Sequence, residues 1–161
     1  MKAFKFLFTF VSILILLSSC QEQSQKGRTN TKAYNQELAL KLEADQYGMS
    51  SYVMAFLKRG PNRGQDSLTA ANLQKAHLEN IMKMAEEGTL VLAGPFMDDG
   101  DIRGIYIFNV ATVEEAKKLT ESDPAIKAGR LVMELHPWYG SAAIKEINSI
   151  HNQLTKQSIA E

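Results

Sequence analysis

Residues 51–136 carry four apolar runs and two helical patterns in the order β-α-β-β-α-β, and that order constrains the fold more than any other feature of the chain. Ser51 to Lys58 is a strand pattern, with Tyr52, Met54 and Phe56 facing one way and Val53, Ala55 and Leu57 the other. Arg59-Gly60-Pro61-Asn62-Arg63-Gly64 is a loop by composition. Asp66 or Ser67 is placed to cap a helix from about Leu68 to Glu87, which Gly88 ends. Thr89 to Ala93 is the second strand, and Gly94-Pro95 stops or bends it. Asp98-Asp99-Gly100-Asp101 reads as a hairpin turn in which Asp-Gly supplies positive φ angles. Arg103 to Val110 is the third strand, with Ile105 and Ile107 opposed to Tyr106 and Phe108. Thr112 caps a helix from Val113 to about Glu121, whose first turn holds Glu114 and Glu115, where the helix dipole favours acids. Asp123-Pro124 starts a short helical turn toward Gly129, and Leu131 to His136 is the fourth strand, before Pro137.

This order is the split βαβ pattern of a ferredoxin-like α+β fold: a four-stranded antiparallel sheet with helices on one face. Two helices cover only one face of such a sheet, yet all four strands are apolar or nearly so on both. A second copy of the sheet, packed face to face, is the simplest cover and predicts a homodimer. The competing cover is the chain's own ends. Tyr34, Leu38 and Leu42 suggest a short amphipathic helix reaching about Asp45, and Ile144, Ile147, Ile150 and Leu154 suggest another in the last twenty residues.

The chain has 161 residues, 18 basic and 18 acidic, so its net charge of zero argues against a nucleic-acid platform. Its single Cys excludes an intrachain disulfide and a Cys-rich zinc site. That residue, Cys20, follows a different kind of segment. Lys2 and Lys5 precede a twelve-residue apolar run, Phe6 to Leu17. A membrane-spanning helix needs roughly 20 such residues, so the run fits a secretory leader. Leu17-Ser18-Ser19-Cys20 resembles the bacterial lipobox, which implies cleavage before Cys20 and lipid attachment to its thiol. Several acyl chains anchor a protein stably where one does not. Gln21, rather than Asp, after the Cys points to the outer membrane, facing the periplasm. Residues 21–33 are polar and read as a tether. The expected organisation is a lipoprotein signal peptide at 1–19, lipidated Cys, tether and short helix at 20–46, a catalytic or binding domain at 47–141, and a helical tail at 142–161. Without Lys2 and Lys5 the remainder has 16 basic and 18 acidic groups and is mildly acidic.

Within the long helix, His77 falls about 40° from Leu73 on a wheel of about 100° per residue, inside the arc of Ala70, Leu78, Ile81, Met82, Met84 and Ala85. Its imidazole is therefore aimed at the sheet. It is either a core histidine satisfied by a backbone carbonyl or a general base or acid tuned by burial and a carboxylate. Asp123 is an available carboxylate, and is equally explained as the N-cap of the turn that Pro124 begins. Arg103 either holds an anionic group or is a surface strand residue. His136 and Trp138 either line the same pocket or pack at the sheet edge. Gly94 and Pro95 either let a ligand approach the backbone or end the strand. Asp98, Asp99 and Asp101 lack the alternation of a calcium loop, and His77, His136 and His151 lack metal-site spacing, so neither a metal nor a cofactor is expected.

The stretch from Tyr52 to Tyr139 resembles a YciI-like protein of the YCII-related domain family. The likeness lies in His77-Leu78, in Glu87 to Phe96, in Asp99-Gly100-Asp101-Ile102-Arg103-Gly104, in Ser122-Asp123-Pro124-Ala125, in Ala128-Gly129 and in Glu134-Leu135-His136-Pro137-Trp138. It implies a ferredoxin-like fold of the dimeric α/β-barrel type, with His77 and Asp123 at the positions of a His–Asp pair proposed as the family's active site. Characterised members include a dehydrochlorinase acting on a chlorinated hydroxyquinol. The resemblance thus implies proton transfer, of lyase or isomerase type, on a small cyclic or aromatic molecule. The alternative is a noncatalytic domain that binds a small molecule or a protein at the envelope, since the lipobox departs from the usual cytosolic members.

Overall fold

The computed structural model describes residues 33–160; the expected leader, Cys20 and most of the tether lie outside the described residues. The elements are α1 (Gln36–Lys41), β1 (Met49–Arg59), α2 (Ser67–Glu86), β2 (Leu90–Pro95), β3 (Ile102–Phe108), α3 (Val113–Thr120), α4 (Pro124–Lys127), β4 (Leu131–Ser141), a 3-10 turn (Ala142–Glu146) and α5 (Ile147–Leu154). The strands form one sheet in the order β2-β3-β1-β4, with every neighbouring pair antiparallel. The fold is the expected ferredoxin-like α+β arrangement.

Local chemistry sets the helix ends. The Asp66 carboxylate accepts from the Thr69 N–H at 2.9 Å and starts α2. Gly88 follows α2 at φ +73°, the left-handed conformation that ends helices. Thr112 and Glu115 form a reciprocal capping box on α3.

Period-two alternation divides the sheet. Val53, Ala55, Leu57, Leu90, Tyr106 and Phe108 face α2 and α3 and pack with Met84 and Ala116 into the main core. Tyr52, Val91 and Ile107 face the other way and pack with Met54, Leu92, Trp138 and Ile144. Leu90 and Val91 serve different cores by ordinary alternation, but Leu92 packs on the same side as Val91, because the register slips between Leu90 and Leu92 at a bulge. Ile144, in the 3-10 turn, covers one end of this second face. At its other end Met54, Phe56 and Ile105 stay half-buried.

One expectation about the sheet holds and two change. Gly94-Pro95 does close β2, whose last residue is Pro95; β2 is an edge strand, where a missing N–H is tolerated. Pro137, in contrast, does not end β4, the opposite edge, which continues to Ser141. The β2–β3 connection is a longer loop, and Gly100 is not among the glycines at positive φ, so no tight primed turn forms there. The ends of the chain are also less helical than the patterns suggest. Helix α1 is six residues long with Leu38 and Leu40 exposed, and the last segment splits into the 3-10 turn and α5, with Ile150 and Leu154 exposed. Among the described residues, no helix is long and apolar enough to cross a membrane.

Candidate active site

Helix α2 delivers His77 to the sheet, as the wheel predicts: it is 6% exposed, and Asp123 is fully buried. His77 Nδ1 lies 2.6 Å from Asp123 Oδ2. A carboxylate accepts only, so Nδ1 carries the proton and donates. The other oxygen, Asp123 Oδ1, accepts from the Ala125 N–H at 2.8 Å and caps α4. The two explanations of Asp123 that the sequence leaves open are therefore both realised, one on each oxygen.

When the imidazole carries only this Nδ1 proton, Nε2 is an acceptor, and it lies 3.3 Å from the Tyr106 hydroxyl. Tyr106 stands on the helix-facing side of β3, and its ring stacks near the imidazole, 6.3 Å between centroids. Burial, reinforced by the negative charge of Asp123, raises the pKa of its phenol well above the ordinary value, so the hydroxyl keeps its proton and donates to Nε2. No buried side-chain nitrogen or oxygen among the described residues lacks a hydrogen-bond partner.

His77 and Tyr106 form part of the wall of a cavity of about 360 Å³, within the ordinary size of small-molecule sites. Leu57, Leu78, Ile81 and Leu131 supply apolar wall, Gly94, Pro95 and Gly104 bring backbone close, and Arg63, Arg103 and Arg130 add positive charge. The close approach at Gly104 is obligatory, since a Cβ there would meet the Gly94 carbonyl oxygen at 2.6 Å. Among the described residues, no group of three or more His, Cys, Asp or Glu is placed to hold a metal ion.

The residues picked from sequence divide into two sets. His77, Arg103, Gly94 and Pro95 meet at the cavity, with Asp123 directly behind His77. His136 and Trp138 do not: β4 pairs them with Met54 and Tyr52, on the opposite face of the sheet. There His136 Nε2 lies 2.8 Å from Glu134 and its ring meets Phe56 edge-on, while Trp138 packs on Tyr52. The expectation that they line this pocket is corrected, because residues at even spacing along β4 from His136 share the face away from α2.

Among the cavity residues not picked from sequence are Tyr106, Arg63 and Arg130, which bear its phenol and two of its three guanidinium groups. Tyr106 was legible, since alternation along β3 puts it on the same face as the helices. Arg63 and Arg130 were not, because they come together only when the loop after β1 bonds to the turn before β4. Gly60 donates to the Arg130 carbonyl at 2.8 Å and Asn62 to that of Gly129 at 3.0 Å.

The pattern of the YCII-related domain matches residues 51–139, which is more than half of the chain. The chain belongs to the YCII-related domain family. The matched span of this YCII-related domain contains every residue of the cavity wall named above together with Asp123; Cys20 and α5 lie outside it. No curated protein matches the chain. Eight chains of known structure do. One is the 5-chloro-2-hydroxyhydroquinone dehydrochlorinase of Burkholderia phenoliruptrix AC1100, solved in complex with 2,5-dihydroxybenzoquinone. It is 19% identical, with a TM-score of 0.41, and the match covers 53% of this chain and 92% of that one.

Proposed function

We propose that this YCII-related protein is an enzyme that moves a proton on a small molecule, with His77 as the base and then the acid. The observation that carries it is the 2.6 Å His77–Asp123 bond on the wall of an open cavity. A substrate group with an acidic C–H or O–H competes with Tyr106 for Nε2. His77 takes that proton, Asp123 balances the resulting imidazolium, and Tyr106 donates its hydrogen bond to the oxygen on which charge develops. Return of the proton to a different atom gives isomerisation; return accompanied by loss of a leaving group gives elimination. The reaction class is thus lyase or isomerase.

The test reads proton movement directly. The chain is incubated in deuterated water with a panel of small cyclic and aromatic hydroxy acids and ketones, and label uptake is followed by mass spectrometry. Wild type incorporates deuterium at one position of a substrate and His77→Gln does not. Exchange by His77→Gln at the wild-type rate removes the reading.

The same proposal places the enzyme at the bacterial envelope, held in the outer membrane facing the periplasm by lipid on Cys20. What supports this is the order of Lys2, Lys5, the apolar run and Leu17-Ser18-Ser19-Cys20. Metabolic labelling with palmitate, lost in Cys20→Ala, tests it. It also makes the protein a homodimer joined through the half-buried face bearing Met54, Phe56 and Ile105, a face that the 3-10 turn leaves partly open. Sedimentation of Phe56→Glu as a monomer and of wild type as a dimer is the expected result.

A further inference from the structure

Three guanidinium groups, Arg63, Arg103 and Arg130, line the same cavity as His77, and no Asp or Glu lines it. None of the three is in an ion pair among the described residues. Neutral oxygens hold them instead. Arg63 Nη1 donates to the Arg130 carbonyl at 3.2 Å. Arg103 Nη1 donates to the carbonyls of Asp98 and Gly100 at 3.0 and 3.2 Å. Arg130 Nη1 donates to Gln65 Oε1 at 2.7 Å. Each guanidinium has five N–H donors, so most remain available, and no bond consumes the charge. Loss of hydration, and then the charges of Arg130, Arg59 and Arg103, lower the pKa of Arg63.

Gathering like charges around one cavity is unfavourable unless something negative binds there. The same lining includes the apolar side chains of Leu57, Ile81 and Leu131. We infer that the ligand of this cavity is a small organic anion, whose carboxylate is gripped by Arg63, Arg103 and Arg130 and whose apolar body lies on Leu57, Ile81 and Leu131, beside His77. A planar guanidinium matches a carboxylate with two parallel hydrogen bonds, which a point-charge lysine does not. The inference rests on the proton-transfer proposal only for naming the anion a substrate; its capture does not require turnover.

The experiment is calorimetric titration of the full-length chain with sodium benzoate, benzamide and sodium acetate. Benzamide keeps the ring and loses the charge; acetate keeps the charge and loses the ring. Benzoate is expected to bind at least about tenfold tighter than either, as loss of one charged hydrogen bond or of the ring's burial implies. Its affinity falls as salt rises from about 0.05 M to about 0.5 M. Arg63→Gln and Arg130→Gln each weaken it about tenfold, and Arg63→Lys restores part of the loss. Arg63 is an exposed loop residue, so its substitution is compatible with folding. Benzoate binding no tighter than benzamide, or unchanged in the Arg63→Gln/Arg130→Gln double variant, overturns the inference. The two proposals fail separately. Absent benzoate binding with His77-dependent deuterium exchange intact removes the anion alone. Arginine-dependent benzoate binding with exchange undiminished in His77→Gln removes the proton transfer alone.

Discussion

Replacing Asp123 by Asn preserves side-chain shape and moves a proton. The native carboxylate accepts from two donors, His77 Nδ1–H at 2.6 Å and the Ala125 N–H at 2.8 Å. In Asp123→Asn the amide oxygen keeps the Ala125 bond, because that backbone N–H has no other acceptor. The amide NH₂ is then left facing Nδ1, so the imidazole must accept there and carry its proton on Nε2 instead. Nε2–H then donates to the Tyr106 hydroxyl, and the lone pair that served as base is gone from the cavity. A hydrogen bond to a charged group contributes about 1.5–3 kcal/mol and a neutral one about 0.5–1.5, so the substitution costs about 1–2 kcal/mol of stability. Its effect on proton exchange is far larger, about 10²–10⁴-fold, the range of general acid–base catalysis. The assay is nitrogen NMR of histidine-labelled protein, in which only His77, His136 and His151 contribute. One ring changes from Nδ1–H to Nε2–H in the variant, while urea denaturation reports the modest destabilisation. A His77 that is Nε2-protonated in wild type, or one that stays Nδ1-protonated in Asp123→Asn, refutes the reasoning.

Tyr106→Phe removes the 3.3 Å bond to His77 Nε2 and is expected to lower deuterium exchange while costing no more than about 1.5 kcal/mol by denaturant unfolding. Gly104→Ala sets a methyl against the Gly94 carbonyl oxygen; the β2–β3 pair must part, which is expected to cost about 1–3 kcal/mol in the same measurement. Bonds from the Tyr139 hydroxyl, then from the Met49 N–H and, more weakly, the Tyr47 N–H, lower the pKa of Asp45 below 3.8. A carboxylate depressed by folding stabilises the fold above its unfolded pKa and loses that contribution as pH falls through the lower folded value. Unfolding between pH 5 and pH 2 is therefore expected to be less steeply pH-dependent in Asp45→Asn than in wild type.

Strand order and sidedness were readable because both rest on short-range periodicity. Tyr52, Met54 and Phe56 against Val53, Ala55 and Leu57 is a statement about adjacent residues, and it survives any tertiary arrangement. His77 was readable for the same reason, as a polar residue at an apolar helical position. Its meeting with Asp123 was not, because 46 residues separate them and spacing says nothing about that approach; family likeness supplied it. The strand end at Pro137 was misread because proline's effect depends on whether a strand is central or outermost, and strand position is a property of the sheet. His136 and Trp138 were misplaced by treating the last strand as a whole, when its two faces address different parts of the molecule. Arg63 and Arg130 were invisible, since both sit in irregular segments joined by backbone hydrogen bonds that no local pattern announces.

The two outer strands of the sheet each contain a proline, Pro95 in β2 and Pro137 in β4. Beside β2, Asn148 of the C-terminal segment donates to the Leu90 carbonyl at 2.8 Å, occupying an acceptor on that side. A strand offered from another chain would find interrupted ladders at both borders, since proline has no N–H to give. The sheet is thereby closed to lengthwise growth. That is a safeguard against fibrous aggregation by strand addition at either border.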